Sequence, residues 1–428
     1  MEKLAEELNA TLGPVAEMLS PLGKRIYFPY GGILGQGAEA KKCAINATIG
    51  MAFEEDSSPL VMDSFARQLS LPKTAFLYAG SFGLPQLRAK WREMQIEKNP
   101  LLKGKAFSVP VVTHALTHGL RVAAELFAAP GDEVILPDLY WDNYQLVFGE
   151  SCGAVLHTFP AFASGGAFNA AGLRERLLGG GDKKIVILNF PNNPTGYTAT
   201  LDDAGEIVSS IADAAKAGKK IVAILDDAYF GLVYEEGVHG ESLFGELCDL
   251  HENVLAVKLD GTTKEDYVWG LRVGFITFGF KGATEAQLKA LEAKAAGDVR
   301  SAISNSSSIG QHMALAAFAD PNYARQKAQK YSVLKKRYNT VREILSSNPQ
   351  WSKLLEAMPF NSGYFMCVRA IDADPEAVRK RLIEKYSTGV IRISGLLRLA
   401  FSTVPCEKLP ALLENVAAAI ADIQNGAK

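Results

Sequence analysis

The sequence predicts an α/β fold, with a mostly parallel central sheet covered by helices on both faces and a smaller α+β domain. Between about residue 74 and residue 300, apolar runs typical of buried strands alternate with longer runs of helical periodicity. Strands that are apolar throughout are typical of a parallel sheet that is buried on both faces. After residue 310 a long helical stretch leads into mixed segments, which predicts the second domain.

The predicted elements follow one another in a regular order. A helix over 116–128 ends at Pro130-Gly131, and the strand-like run 133–136 comes next. A second strand is predicted over 184–188. Thr200 then begins a helix with a capping-box pattern that runs to Gly218, and the strand 219–225 follows it.

The carboxyl-terminal part is predicted to hold one long helix from Ile309 to about Ser346 and a last helix over 407–424. These patterns suggest a division into three parts. The division places an amino-terminal arm and part of the small domain in residues 1–60, a large domain in 61–308, and the small domain in 309–428.

Composition excludes several classes of function. The 428 residues can bury a large core, and 48% hydrophobic with 21% charged residues is the profile of an ordinary globular protein. A formal net charge of −2 gives no indication of nucleic acid or an anionic membrane as a partner. The start of the chain has neither the basic residues nor the apolar block of a signal peptide, and no apolar run has membrane-spanning length. We therefore expect a cytoplasmic enzyme.

Cysteine and histidine positions predict neither disulfides nor a metal site. The five cysteines are scattered and form no CxxC pair, which is typical of reduced thiols. His114 and His118 have a spacing that could suit a metal, but no acidic or third histidine ligand lies near them in the sequence.

Three polar residues follow apolar runs and carry most of the predicted chemistry. Asp226 ends the run 221–225, Lys264 follows the run 254–257, and Arg272 comes eight residues later. Ligands of parallel sheets bind at the carboxyl ends of the strands. A carboxylate, a lysine and an arginine suit a cofactor with a basic ring nitrogen, an aldehyde and a phosphate. Pyridoxal 5′-phosphate has these three groups.

Each of these residues also has an ordinary interpretation. An aspartate at a strand end often caps a helix or pairs with an arginine, and a lone lysine is usually a solvated surface residue. In the functional interpretation, Asp226 would keep a ring nitrogen protonated. Lys264 would form an imine with the aldehyde and then move a proton, while Arg272 would bind the phosphate bidentately. Tyr229 could donate a hydrogen bond to the cofactor or simply pack.

Three further residues lie at places where a ligand could bind. Asn193 is in a Pro-Asn-rich turn after the strand 184–188 and would present its amide to a ligand there. Thr117 is in the first turn of the helix 116–128, where free backbone N–H groups favour anions. Trp141 could stack on a flat ring, although packing in the core is an equal alternative.

Taken together, these segments resemble the class I/II aminotransferases, which are fold-type I pyridoxal-phosphate enzymes, and most of all the aspartate aminotransferases. The matches occur in the family's order over about residues 45–405. They are Tyr78 with Gly83-Leu84-Pro85, Thr117-His118-Gly119-Leu120-Arg121, Pro130-Gly131-Asp132, Trp141-Asp142-Asn143-Tyr144, Asn193-Pro194-Thr195-Gly196, Asp226 to Tyr229, Lys264, Arg272 and Arg398.

The resemblance implies roles around the cofactor ring. Lys264 would carry the imine to the cofactor and move the proton, and Asp226 would pair with the ring nitrogen. Asn193 and Tyr229 would bind the phenolic oxygen, and Trp141 would stack on the ring.

The resemblance also implies sites for the phosphate and the substrate. The phosphate would be held by Ala115, Leu116, Thr117, Thr262, Arg272 and, from the second subunit of a homodimer, Tyr78. Arg398 would bind the substrate α-carboxylate, with Gly50 and Asn193 beside it. Arg300 matches the segment that presents an arginine to the neighbouring site in dicarboxylate-specific members, so it would bind the side chain of aspartate or glutamate.

The sequence departs from the family pattern near the lysine and the phosphate threonine. Gly261 stands where the family has a serine, with Thr262 and Thr263 as possible substitutes. Ala115-Leu116 replace the usual Ser-Gly, and Asp260 and Glu265 bring unusual negative charge to the lysine segment.

The predicted function is therefore amino-group transfer between an L-amino acid, with aspartate or glutamate favoured, and a 2-oxo acid in a ping-pong cycle. A β-lyase, decarboxylase or synthase using the same cofactor is the first alternative. A transcriptional regulator with this fold is remote, because the residues before the sheet are neither basic nor patterned as a helix-turn-helix.

Overall fold

The computed structural model describes residues 2–27, 31–67 and 70–426. Its strands are β1 (Ile45–Asn46), β2 (Val111–Thr113), β3 (Glu133–Pro137), β4 (Val155–Phe159), β5 (Lys183–Asn189), β6 (Lys220–Asp226), β7 (Val254–Gly261), β8 (Gly274–Gly279), β9 (Leu355–Ala357), β10 (Phe365–Ala370), β11 (Thr388–Gly389), β12 (Ile391–Ile393) and β13 (Leu396–Ala400). Its α-helices are α1 (Glu2–Leu12), α2 (Pro21–Arg25), α3 (Ile33–Glu39), α4 (Asp63–Ala66), α5 (Pro85–Lys98), α6 (Ala115–Phe127), α7 (Ala170–Leu178), α8 (Leu201–Lys216), α9 (Phe244–Leu247), α10 (Thr262–Glu265), α11 (Glu285–Ile303), α12 (Ser308–Phe318), α13 (Tyr323–Ser347), α14 (Pro375–Tyr386) and α15 (Leu409–Gln424).

A seven-stranded sheet in the order β2-β8-β7-β6-β5-β3-β4 forms the centre of the structure. The strands from β7 to β4 pair in parallel, whereas β8 is antiparallel to both of its neighbours. This confirms the predicted α/β class and the mostly parallel sheet.

Helices cover both faces of this sheet, and β5 shows why its sequence is apolar throughout. Ile185 and Ile187 pack into one core with α6, while Val186 and Leu188 pack into a second core with α7 and α8. Successive side chains of a strand point to opposite faces, so both sets must be apolar when both faces are covered.

The predicted start of α8 is confirmed at the level of individual hydrogen bonds. The Thr200 hydroxyl accepts from the Asp203 N–H at 3.1 Å, and the Asp203 carboxylate accepts from the Thr200 N–H at 3.0 Å. This reciprocal capping box satisfies two backbone donors that the first turn of the helix leaves free.

The prediction of one helix from Ile309 to about Ser346 was wrong. The structure has two helices there, α12 and α13, separated by residues 319–322. Pro321 lies in this break; it has no N–H to donate and disfavours helical geometry at Asp320. Asp320 also accepts from the Asn322 N–H at 2.7 Å, which closes the turn locally.

A second sheet, in the order β12-β13-β10-β9, is antiparallel throughout and packs against α14, which in turn packs against α15. The short strand β1 pairs in parallel with β11, which places residues 45–46 beside 388–389. This pairing joins a segment of the first 60 residues to the carboxyl-terminal part of the chain. The boundaries at residues 60 and 308 stay a prediction. Within the described ranges, no helix is both long and apolar enough to cross a membrane.

Candidate active site

A cavity of about 190 Å³ opens at the carboxyl ends of β5, β6 and β7. Its lining brings together most of the residues singled out from the sequence: Gly50, Ala115, Leu116, Thr117, Trp141, Asn193, Asp226, Tyr229, Lys264, Arg272 and Arg398. It also includes Ile33, Tyr144, Asn189, Ala228, Thr263 and Phe365. Parallel strands end at one edge of the sheet, which is why residues distant in sequence meet there.

Asp226 is the last residue of β6 and is buried. Its Oδ2 accepts from the Tyr144 hydroxyl at 2.6 Å, and its Oδ1 accepts from the Ala228 N–H at 3.2 Å. Burial raises the pKa of this carboxyl, and the Tyr144 hydrogen bond and the nearby Lys264 ammonium oppose that rise. A cationic group in the cavity would therefore stabilise the ionised carboxylate further.

Lys264 is half-buried in α10, the single turn that follows β7. Its Nζ lies 5.2 Å from the centre of the Tyr229 ring, and within the described ranges it donates no hydrogen bond. Burial lowers its pKa to about 8, Asp226 opposes this and Arg272 adds to it. A substantial fraction of the amine is thus neutral near pH 8, as nucleophilic attack requires.

Arg398 lies in β13 and is 1% exposed. Its Nη1 donates to Asn193 Oδ1 at 2.9 Å and its Nη2 donates to the Thr48 carbonyl at 2.7 Å. The guanidinium carbon lies 4.3 Å from the centre of the Phe365 ring. Its buried Nε has no hydrogen-bonding partner in the described part of the chain. A buried guanidinium with a free donor is suited to binding a carboxylate.

Another part of the cavity lining is suited to an anion. Thr117 is exposed in the first turn of α6, where backbone N–H groups lack helical partners. Arg272 lies beside it and adopts a left-handed φ of 58°, with Nη1 donating to the Trp269 carbonyl at 3.2 Å. Ala115, two residues before Thr117, also has a left-handed φ of 59°. Non-glycine residues rarely adopt this conformation, and such strain is concentrated at functional sites.

Gly261 shows why a serine is absent before the lysine. A Cβ atom at this position would lie 2.7 Å from the Gly274 Cα and 2.7 Å from the Val273 carbonyl oxygen. The two threonines that follow have different positions. The Thr262 hydroxyl donates to the Val273 carbonyl at 3.2 Å and Thr262 does not line the cavity. Thr263 lines the cavity, and its buried hydroxyl has no partner among the residues that the structure describes.

Restoring a serine with Gly261→Ser is expected to destabilise the protein by about 1–3 kcal/mol, because its side chain would overlap backbone atoms of β8. Urea unfolding followed by circular dichroism measures this free energy. Gly240→Ser is the matched control, since no atom lies within 4 Å of a Cβ there. Equal stability of the two variants would contradict the close approach of β7 and β8.

Besides Thr262, two predicted residues do not line this cavity. Tyr78 is 89% exposed, and Arg300 is exposed near the end of α11, where its Nη1 donates to Ser304 Oγ at 2.9 Å. The sequence prediction assigned both to the site of a neighbouring subunit, so a single chain does not test their roles.

Several lining residues were missed from the sequence. Tyr144 belongs to the segment Trp141-Asp142-Asn143-Tyr144 that matched the family, and Asn189 pairs in register with Asp226. The sequence thus contained an indication of both residues. Ile33 and Phe365 reach the cavity from α3 and β10, and no local pattern indicates this. Within the described ranges, no group of three or more His, Cys, Asp or Glu side chains is placed to hold a metal ion.

Curated relatives of this chain are aminotransferases of low identity. A probable N-acetyl-LL-diaminopimelate aminotransferase of Bacillus subtilis is 24% identical over 49% of this chain and 50% of its own length. An aspartate aminotransferase of Thermotoga maritima is 27% identical over 72% of this chain and 74% of its own length. The chain thus spans half the length of the first of these relatives.

Solved structures support the same fold. An aminotransferase from Anaerococcus prevotii superimposes with a TM-score of 0.80 at 22% identity, covering 92% of this chain and 98% of that one. The aspartate aminotransferase from Thermus thermophilus with maleate superimposes with a TM-score of 0.73 at 19% identity, covering 94% of this chain and 99% of that one.

The family model described as aminotransferase class I and II matches residues 51–416. Members of this family use pyridoxal 5′-phosphate. The cavity fits that group, because it combines a free amine at Lys264, a buried carboxylate at Asp226 and an anion site at Thr117 and Arg272. Since this family model spans most of the sequence, the chain belongs to the class I and II aminotransferase family.

Proposed function

We propose that this protein is a pyridoxal-phosphate-dependent aminotransferase that moves an amino group between an L-amino acid and a 2-oxo acid by a ping-pong mechanism. The observation that carries the proposal is the cavity itself. The unpaired amine of Lys264 faces the same small space as the buried Asp226 carboxylate and the incompletely bonded guanidinium of Arg398.

The residues around the cavity would hold the cofactor by each of its polar groups. Asp226 would bind the ring nitrogen, and Asn193 and Tyr229 would bind the phenolic oxygen. Trp141 would lie against the ring. Thr117 and Arg272 would hold the phosphate. When bound, the cofactor supplies an aldehyde that accepts amino groups and a protonated ring that stabilises negative charge at the substrate α-carbon.

The chain's own residues would provide binding, orientation and proton transfer. Arg398 would hold the α-carboxylate through its free Nε and its Nη atoms, which orients the substrate. Lys264 would take the proton from the α-carbon and return it to the acceptor carbon. A pKa of about 8 suits a group that must exchange protons near neutral pH. Tyr144 would keep the Asp226 carboxylate directed at the ring nitrogen.

A homodimer with shared sites is the finer part of the proposal. Exposed apolar side chains at Phe76, Leu77 and Tyr78 support it, being 73%, 65% and 89% exposed in one chain. Tyr78 of the second subunit would then reach the phosphate, and Arg300 would enter the neighbouring site to bind a side-chain carboxylate. The names of several relatives, aspartate aminotransferases, support aspartate as the amino donor. A cytoplasmic location stays a prediction from the sequence.

The proposal is tested by the visible absorbance of the purified protein with cofactor, before and after L-aspartate is added without an oxo acid. We expect L-aspartate to convert the absorbance band of the lysine-bound cofactor to that of the aminated cofactor, and 2-oxoglutarate to reverse the conversion. A response only to neutral or aromatic amino acids would remove the dicarboxylate preference. Release of ammonia, pyruvate or CO₂ would favour a lyase or decarboxylase, and failure to bind the cofactor would overturn the proposal.

Arg398→Lys is expected to raise KM for both substrates by about 10- to 100-fold with a smaller change in kcat, because lysine keeps the charge but loses the bidentate fork. Steady-state kinetics at several substrate concentrations measures this. Arg369→Lys in the neighbouring strand β10 is the matched control, since Arg369 is exposed and pairs with Glu356. An unchanged KM in Arg398→Lys would exclude Arg398 from carboxylate binding.

A further inference from the structure

A group of charges with buried carboxylates lies next to Lys264 in the chain and outside the lining of the cavity. The two residues that follow the lysine, Glu265 and Asp266, are 1% and 0% exposed. Glu265 Oε1 accepts from Lys98 Nζ at 2.7 Å and from Lys327 Nζ at 2.7 Å. Asp266 Oδ1 accepts from Lys327 Nζ at 3.0 Å and from the Tyr323 hydroxyl at 2.6 Å. We call these five residues the anchor cluster.

The anchor cluster connects the lysine turn to two long helices. Lys98 is the last residue of α5, and Tyr323 and Lys327 lie in the first two turns of α13. The turn itself, α10, has four residues, and a helix of one turn has little stability of its own. Contacts outside the turn must therefore hold it in place.

The side chain of Lys264 does not hold the turn. Its amine is unpaired within the described ranges, as a reactive amine has to be. Its carbonyl accepts from the Tyr364 hydroxyl at 3.2 Å, which is one external contact. Thr262 supplies a second through its hydrogen bond to the Val273 carbonyl, and the charged contacts of Glu265 and Asp266 supply the rest.

Stability alone does not account for these buried charges. Buried ion pairs often contribute no more than well-packed apolar residues, because both charges lose their hydration. Here Glu265 Oε2 and Asp266 Oδ2 are also buried without a hydrogen-bonding partner among the described residues. Burying these carboxylates therefore costs desolvation free energy. What the arrangement provides is a set of directional contacts beside the reactive lysine.

We propose that Glu265, held by Lys98 and Lys327, is a positioning residue for Lys264 that keeps the α10 turn oriented with the amine directed into the cavity. This inference rests on the proposed function only in requiring that Lys264 bind the cofactor. The charge of Glu265 would also act on the amine through the protein. The two lysines hold the pKa of Glu265 well below its usual range, so the carboxylate stays ionised.

Two substitutions that break the Glu265–Lys327 ion pair should shift the titration of the lysine–cofactor linkage in opposite directions, because they remove opposite charges. Glu265→Gln removes a negative charge beside Lys264 and should lower the pH at which the lysine–cofactor linkage titrates. Lys327→Met removes a positive charge and should raise that pH. Each shift should be about 0.3 pH unit, because Asp226 and Arg272 are the charges that act most directly on the amine. A structural disturbance alone would displace both variants in the same direction.

Other charges that face Lys264 are unchanged in both variants. Asp226 faces the amine from β6 and Arg272 faces it from the segment after α10. Tyr229 lies beside it in the cavity, and Asp266 keeps its hydrogen bond from Tyr323 in Lys327→Met. Differences between the variants therefore report the Glu265–Lys327 pair.

The experiment titrates the visible absorbance of the cofactor-loaded proteins against pH without substrate, and measures kcat and KM for each. Lys330→Met is the matched control. Lys330 lies on the same helix, has a similar exposure of 21% against 26%, and pairs with Glu54 away from α10. We expect opposite titration shifts, a fall in kcat of about tenfold with KM nearly unchanged in both test variants, and no shift in the control.

Glu265→Gln leaves two half-buried lysines with less compensation, which can reduce the yield of folded protein. The double variant Glu265→Gln/Lys327→Met restores the charge balance, so its titration should return to the wild-type pH while kcat stays low. Shifts of the same sign, shifts equal to that of Lys330→Met, or wild-type kcat in the double variant would overturn the inference. A wild-type protein that binds the cofactor at Lys264 but does not transaminate would overturn the proposed function alone.

Discussion

Lys264→Ala is expected to lower kcat by about 10⁴-fold or more and to abolish covalent attachment of the cofactor. The loss is large because one amine would serve both as the nucleophile and as the group that moves the α-proton. Borohydride reduction of the cofactor-loaded protein, followed by peptide mass spectrometry, measures the attachment independently of turnover. The labelled peptide of the wild-type protein should contain residue 264.

The control for this substitution is Lys281→Ala, which removes an exposed lysine from the turn after β8. It should keep full turnover and the label at Lys264. Circular dichroism should show that both variants are folded. Undiminished turnover of Lys264→Ala, or a label on another lysine, would contradict the assignment of Lys264 as the reactive amine.

Asp226→Asn is expected to lower kcat by about 10³-fold while the protein still binds the cofactor. Asparagine has nearly the same shape and can still accept from Tyr144, so the change removes mainly the negative charge. Without that charge the ring nitrogen is no longer held protonated, and the developing negative charge at the α-carbon loses its stabilisation. Single-turnover kinetics with one amino acid measures the step directly.

Tyr144→Phe separates the charge of Asp226 from its hydrogen bond. This variant loses the 2.6 Å contact but keeps the carboxylate, so kcat should fall by only about tenfold. Equal losses in the two variants would show that orientation of the carboxylate, rather than its charge, is what matters. A wild-type rate in Asp226→Asn would remove Asp226 from the mechanism.

Much of the fold could be predicted from local patterns. The central strands β3, β5 and β6 lie where apolar runs predicted them, within one or two residues, and the cap of α8 is the predicted one. Periodicity succeeds here because burial on both faces imposes a local requirement on every strand residue. It failed between α12 and α13, where the apolar pattern continues across Pro321 but the backbone cannot stay helical.

Only those site residues that lie at the ends of neighbouring strands could be placed together from the sequence. Asp226 ends β6 and Lys264 follows the neighbouring parallel strand β7, so the sheet topology places them together. The partners of these residues were not accessible in this way. The hydrogen bond from Tyr144 to Asp226 depends on which side chains meet across distant elements. The same is true of the ion pairs of Glu265 with Lys98 and Lys327.

The sequence by itself therefore determined the α/β class, the order of the central strands along the chain and the chemical types of the residues at their ends. Only the tertiary structure decided how these groups are bonded. It showed that Gly261 is required by the close approach of β8, that Thr263 rather than Thr262 lines the cavity, and that Glu265, the residue after Lys264, pairs with Lys98 and Lys327. The physical reason is range: periodicity and turn chemistry act between neighbours in the chain, whereas hydrogen bonds, desolvation and close packing act between atoms that folding brings together.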